Sequence, residues 1–115
     1  MQNLRYVGKN LFIEKLSIKN ILKKNKTPFY IYSESQIAFN FLKFANTFKK
    51  TDPLICFAAK SNSNLNILKV LGKLGAGADV VSGGELLKAL KAGIKPNKIV
   101  FSGVGKTEDE LKIAI

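Results

Sequence analysis

A chain of 115 residues with 46% hydrophobic content is long enough for one domain with a modest core and too apolar to be disordered. Its apolar runs are short, which excludes a membrane-spanning helix, and the N-terminus lacks the apolar stretch and small-residue cleavage site of a secretory signal. The net charge of +11 invites a nucleic-acid reading, yet its 18 lysines and one arginine are scattered along the chain rather than gathered on one face. These features predict a cytoplasmic protein with no nucleic-acid and no membrane partner.

Leu11 to Glu14 and Ile18 to Lys23 read as a short strand and a short helix, and Thr27-Pro28-Phe29-Tyr30-Ile31-Tyr32 as a strand entered through a proline turn. These opening elements need not share a sheet with the strands later in the chain. Ser33 and Gln36 have the spacing of a capping box. They open a helix with Ile37, Phe41, Phe44, Ala45 and Phe48 on one face, a stripe that must pack against something large. The pairs Lys23-Lys24 and Lys49-Lys50 fall near helix C-termini, where cations complement the dipole.

From Phe57 onward the chain repeats a strand-helix unit. The strand ends at Lys60, Ser82 and Ser102 are separated by 22 and 20 residues. The first strand, Leu54 to Ala59, is apolar enough to lie inside a sheet, and Cys56 within it is expected to be a buried free thiol. The helix from about Asn64 to Leu74 carries Leu65, Ile67, Leu68, Leu71 and Leu74 on one face and stops at Gly75. A second strand over Ala78 to Ser82 leads to a helix from about Gly84 to Ala92 with Leu86, Leu87 and Leu90, ended by Gly93 and then Pro96. The third strand is Ile99 to Phe101. Thr107 and Glu110 form a capping box, and Glu108, Asp109 and Glu110 fill the positive end of a third helix. The class is α/β. Three such units cannot close a barrel, and parallel strands need cover on both faces or a full ring. The chain is therefore expected to be the N-terminal piece of a longer protein, unable alone to form a stable monomer or to catalyse.

Lys60 ends the first of these strands, immediately before the polar loop Ser61-Asn62-Ser63-Asn64. A lysine there can form an imine. The apolar approach carries its ammonium into partly dry surroundings, where desolvation favours the free amine. Parallel strand ends also face the crevice where ligands bind. Two glycine patterns are decoys. Gly103-Val104-Gly105-Lys106-Thr107 resembles the end of a phosphate-binding loop, but the glycine required five positions before Gly105 is Val100, which leaves too few amides to wrap a triphosphate. Gly72, Gly75 and Gly77 end a helix and enter a strand, the reverse of a dinucleotide site.

Phe57-Ala58-Ala59-Lys60-Ser61-Asn62-Ser63-Asn64, then Gly75-Ala76-Gly77-Ala78-Asp79-Val80-Val81-Ser82-Gly83-Gly84-Glu85-Leu86, then Ile99-Val100-Phe101-Ser102-Gly103-Val104-Gly105-Lys106-Thr107 together resemble the diaminopimelate decarboxylase family. Leu11-Phe12-Ile13 through Tyr32 is similar to that family's N-terminal segment, whose opening strands join a second, all-β domain. The resemblance implies a partial (β/α)8 barrel of the alanine racemase-like type. Residues 1–32 would be the segment associated with the β-domain, and 33–115 the first part of the barrel domain, which binds pyridoxal 5'-phosphate. The implied reaction converts meso-2,6-diaminopimelate to L-lysine and CO2, in a homodimer. Lys60 matches the lysine that holds the cofactor as a Schiff base. Asp79 matches an acid near that lysine, though a strand ion pair is an equal reading of the same residue. Glu85 reads first as a first-turn residue complementing the helix dipole, ahead of a cofactor contact. Residues for the phosphate, the pyridine nitrogen and the substrate would lie beyond Ile115, and no residue is assigned to a metal.

Alanine racemase has a tyrosine, glycine and histidine stretch after its lysine, whereas this chain continues Ser61-Asn62-Ser63-Asn64-Leu65 and contains no histidine. Ornithine, arginine and carboxynorspermidine decarboxylases are nearer alternatives, and the run from Asp79 to Leu86 favours the diaminopimelate enzyme over them. The alternative from another class is a non-catalytic basic binding module. It would need a continuous basic face and leaves the apolar approach to Lys60 unexplained.

Overall fold

Short strands around tight turns fold the start of the chain back on itself. In the computed structural model, which describes residues 3–115, β1 (Leu4–Val7), β2 (Asn10–Ile13) and β3 (Leu16–Ser17) form an antiparallel sheet in chain order. Leu4 lies opposite Ile13, and Phe12 opposite Ser17. The short strand and helix expected here are present as β2 and α1 (Ile18–Leu22), while β1 and β3 carried no signal strong enough to be foreseen. The expected strand over residues 27–32 is not one: the segment pairs with neither sheet. Its composition suits a strand, but a strand exists only through a partner's backbone groups, and Tyr30 stands 90% exposed.

Helix α2 (Glu34–Thr47) begins at Ser33, whose Oγ accepts the Gln36 amide at 3.0 Å. Only half of the expected capping box forms, because the Gln36 side chain donates to Asn40 Oδ1 instead. The carboxylate at this helix start comes from elsewhere: Glu14, in the turn after β2, accepts the hydroxyls of Ser33 at 2.5 Å and Ser35 at 2.8 Å. A charge in a turn of the first sheet thereby sits at the start of α2. The apolar face is satisfied at one end only. Ile37 and Phe41 pack on Ile67, Leu71 and Ala76, whereas Phe44 and Phe48 remain 55% and 42% exposed, since α3 reaches only the N-terminal half of that stripe.

The second sheet is parallel and consists of β4 (Cys56–Ala58), β5 (Gly77–Val80) and β6 (Ile99–Phe101), with spatial order equal to chain order. The crossovers are α3 (Leu65–Lys73) and α4 (Gly83–Lys91), and α5 (Glu108–Ala114) follows β6. Gly75 and Gly93 stop α3 and α4 at φ 96° and 86°, the left-handed conformation expected of them. Alternation along β5 sends Ala78 and Val80 to one face, where they meet Leu68 of α3 and Leu86 and Ala89 of α4. Both crossovers therefore cover the same face, the singly wound arrangement. Leu68 and Val80 are the largest fully buried side chains, each contributing about 1.5–3 kcal/mol. Of the leucines this helix carries, Leu86 is buried whereas Leu87 and Leu90 are exposed. The helix turns its Leu86–Ala89 side inward because a small residue lets it approach the sheet closely.

The other face of the parallel sheet bears Cys56, Ala58, Gly77, Asp79 and Val100 by the same alternation and register. Gly77 is required there: an added Cβ would overlap the Lys98 carbonyl oxygen and lie 2.8 Å from the Cys56 sulfur. Among the described residues no helix is long and apolar enough to cross a membrane.

Candidate active site at the strand ends

The polar tetrapeptide after Lys60 works as turn and cap chemistry. β4 gives way to a 3-10 turn, Ala59–Ser61, which Ser61 Oγ closes by donating to the Ala58 carbonyl at 2.7 Å. Asn62 Oδ1 then accepts the Asn64 amide at 3.1 Å, and Asn64 Oδ1 caps α3 through the Asn66 amide at 2.9 Å. Each side chain answers an amide that the helix start leaves open. The backbone around Lys60 is held from both sides.

Lys60 itself sits inside that turn rather than on the strand. Ala59 is completely buried and Lys60 is exposed. The partly dry surroundings expected for its ammonium are thus not supplied by these residues, because the 3-10 turn rotates the side chain off the packed face. Its amine has no hydrogen-bond or ion-pair partner among the described residues.

Asp79 lies on the adjacent strand in register with Ala58, two positions before Lys60. It is half-buried. Its partner is the Ser102 hydroxyl, which donates to Oδ1 at 2.5 Å. No ion pair forms at Asp79: the one salt bridge among the described residues joins Lys112 and Glu108 at 2.8 Å. Cys56 shares this face and is half-buried rather than buried. Desolvation pushes its thiol up, and the Asp79 charge adds to the effect.

Two further carboxylates fasten the strand-to-helix turns. Glu85 accepts the Val81 amide at 2.9 Å while Ser82 Oγ accepts the Glu85 amide at 3.2 Å, so Glu85 is a first-turn residue, as its position implied. Glu110 completes the expected capping box with Thr107 and reaches across to the Gly83 amide at 2.7 Å. That amide holds the Glu110 carboxyl below its ordinary range, and the Thr107 amide assists. Lys106 gives its ammonium to the Gly103 carbonyl and the Phe101 ring. It is not turned outward as a phosphate-gripping lysine would be. No cluster among the described residues is placed to hold a metal ion.

A primary amine without a partner, a carboxylate on the next strand and a hydroxyl on the third thus gather at one end of a parallel sheet. This donor set suits a carbonyl compound that an amine captures covalently. Residues 34–115 match the family model described as pyridoxal-dependent decarboxylase, pyridoxal binding domain.

The chain belongs to this family. A diaminopimelate decarboxylase of Aquifex aeolicus (strain VF5) is 50% identical over 112 residues, which covers 97% of this chain and 26% of that relative. One from Helicobacter pylori (strain J99) is 53% identical over 97 residues, covering 84% of this chain and 24% of the relative. The crystal structure of a diaminopimelate decarboxylase from M. jannaschii in complex with L-lysine has a TM-score of 0.92 at 35% identity, covering 98% of this chain and 27% of that one. The chain thus spans about a quarter of the length of the relatives it matches.

As part of a pyridoxal-binding domain, the strand ends show two contacts that sequence reasoning missed. Ser102 was visible only as a strand-end serine recurring 20 residues after Ser82, with nothing to say that its hydroxyl meets Asp79. Glu110 was visible as a cap of its own helix. Its bond to Gly83 has no local signal, because it depends on how α4 and α5 lie side by side.

Proposed function

We propose that the full-length polypeptide carrying these residues is a diaminopimelate decarboxylase, which removes the carboxylate at the D-configured end of meso-2,6-diaminopimelate to give L-lysine and CO2. The observation that carries this reading is the Lys60 amine, exposed and without a partner at the end of a parallel strand in a pyridoxal-binding segment. When bound, pyridoxal phosphate supplies an aldehyde and an electron-accepting ring for the loss of CO2. Lys60 is the residue that would hold the cofactor, through its primary amine. Asp79, on the adjacent strand in register with Ala58, is the carboxylate that would steady the charge at that lysine. The Ser61 to Asn64 caps keep the lysine's backbone still while its long side chain moves. The names of the relatives support the substrate.

The singly wound order β4-β5-β6, with both crossovers on one face, supports a partial (β/α)8 barrel over residues 33–115. The separate antiparallel sheet β1–β3 supports assigning residues 1–32 to a segment that joins an all-β domain. A cytoplasmic homodimer is part of the same proposal.

Borohydride reduction of the full-length polypeptide loaded with pyridoxal phosphate, followed by peptide mapping, is expected to place the phosphopyridoxyl group on Lys60. Label on another lysine with Lys60 unmodified rejects the assignment. Lysine formation from meso-diaminopimelate, measured beside ornithine and arginine as competing substrates, tests the specificity.

A further inference from the structure

The contact between Ser102 and Asp79 joins the second and third strands at the end where Lys60 emerges. Ser102 follows β6, and its amide still donates to the Val80 carbonyl at 2.9 Å. The sheet ladder thereby fixes its backbone and leaves only the side-chain torsion to set. Its hydroxyl lies 2.5 Å from Asp79 Oδ1, the short range of a hydrogen bond to a charged acceptor. The other oxygen, Oδ2, has no partner among the described residues. A carboxylate on a short side chain has two free torsions, and pinning one oxygen removes most of that freedom.

We propose that Ser102 is a positioning residue for Asp79: its hydroxyl anchors one carboxylate oxygen so that the other is presented to the Lys60 amine. This rests on the roles proposed above for Lys60 and Asp79. A serine that merely satisfied a half-buried carboxylate would affect stability alone. A positioning serine affects the charge felt at the lysine nitrogen and does so only through Asp79.

The test is a double-mutant cycle in the full-length polypeptide loaded with pyridoxal phosphate, using Ser102→Ala, Asp79→Asn and the double variant. Melting temperature, kcat, KM and the pH midpoint of the cofactor absorbance band are read for each. Removing the Asp79 charge disfavours the protonated nitrogen, so Asp79→Asn is expected to move the midpoint to lower pH. Ser102→Ala is expected to move it the same way by less, with kcat down about tenfold and KM nearly unchanged. In the Asp79→Asn background Ser102→Ala is expected to do nothing more, whereas Ser102→Thr with Asp79 intact keeps the hydroxyl and is expected to keep the wild-type midpoint. A wild-type midpoint and kcat in Ser102→Ala beside a shifted Asp79→Asn overturns the role of Ser102 alone, as does additivity in the double variant. A midpoint that rises in Ser102→Ala shows competition instead of positioning and overturns it too. An unshifted Asp79→Asn removes the role of Asp79 and the inference with it.

Discussion

Glu110 accepts the amide of Gly83, 27 positions earlier in the chain, at 2.7 Å. The same carboxylate accepts the Thr107 amide at 3.0 Å, so one charge closes the starts of α4 and α5 together. Open amides and the positive dipole end gather at each helix start, and a shared carboxylate ties the third strand-helix unit to the second. Glu14 does the same between the first sheet and α2 through Ser33 and Ser35.

Both carboxyls sit below their ordinary value of 4.5, Glu14 chiefly through the Ser33 hydroxyl and Glu110 chiefly through the Gly83 amide. A folded-state value beneath the unfolded one contributes stability that is complete above the unfolded value and is lost as pH falls through the folded one. The Glu14→Gln/Glu110→Gln double variant is therefore expected to melt below wild type at neutral pH, with the gap closing once the pH drops below about 4.5. A gap that stays constant into acid would show that the two carboxylates act through shape and not through charge.

Gly77→Ala is expected to destabilise by about 3 kcal/mol, since its Cβ would overlap the Lys98 carbonyl and crowd the Cys56 sulfur at 2.8 Å. The Lys98 carbonyl is backbone and cannot yield as a flexible side chain does. Gly84→Ala is the contrast: its Cβ would meet nothing closer than 4.0 Å, so helix propensity dominates and the variant should gain up to ~1 kcal/mol. Denaturant midpoints of the two variants in the full-length polypeptide give the comparison. Equal midpoints would show that close packing between β5 and β6 is not what selects glycine.

Lys60→Ala should leave the melting temperature of the apo polypeptide within the scatter of surface substitutions, about 0.5 kcal/mol, because the side chain is exposed and makes no polar contact. Covalent retention of pyridoxal phosphate and turnover should both be abolished. Retained activity, or a large loss of apo stability, would contradict the separation of scaffold from chemistry at this residue.

Cys56 should alkylate slowly at neutral pH in the folded protein, since desolvation and the Asp79 charge both push its thiol up and only the thiolate reacts. In Asp79→Asn the rate should rise modestly, desolvation being the larger of the two causes. An unchanged rate would mean that the carboxylate's field does not reach the sulfur.

The sequence by itself determined the parts that rest on local chemistry. Gly75 and Gly93 stop helices because a left-handed residue must end them, Thr107 and Glu110 cap one because their spacing is three residues, and Lys60 falls in the turn just past a strand because polar residues succeed an apolar run. The strand motifs around Lys60 and Asp79 were specific enough to indicate the family that the domain match then established. What only tertiary structure decided were relationships between elements. Residues 27–32 have strand composition but no ladder, because pairing needs a partner edge that composition cannot supply. The apolar face of α2 is half covered because α3 spans only part of it. Leu87 and Leu90 lie outside because Ala89 sets the closest approach of α4 to the sheet. The bonds from Ser102 to Asp79 and from Glu110 to Gly83 cross 23 and 27 positions. They exist because parallel strands in register bring side chains from separate units to one end of the sheet, a geometry that no local spacing encodes.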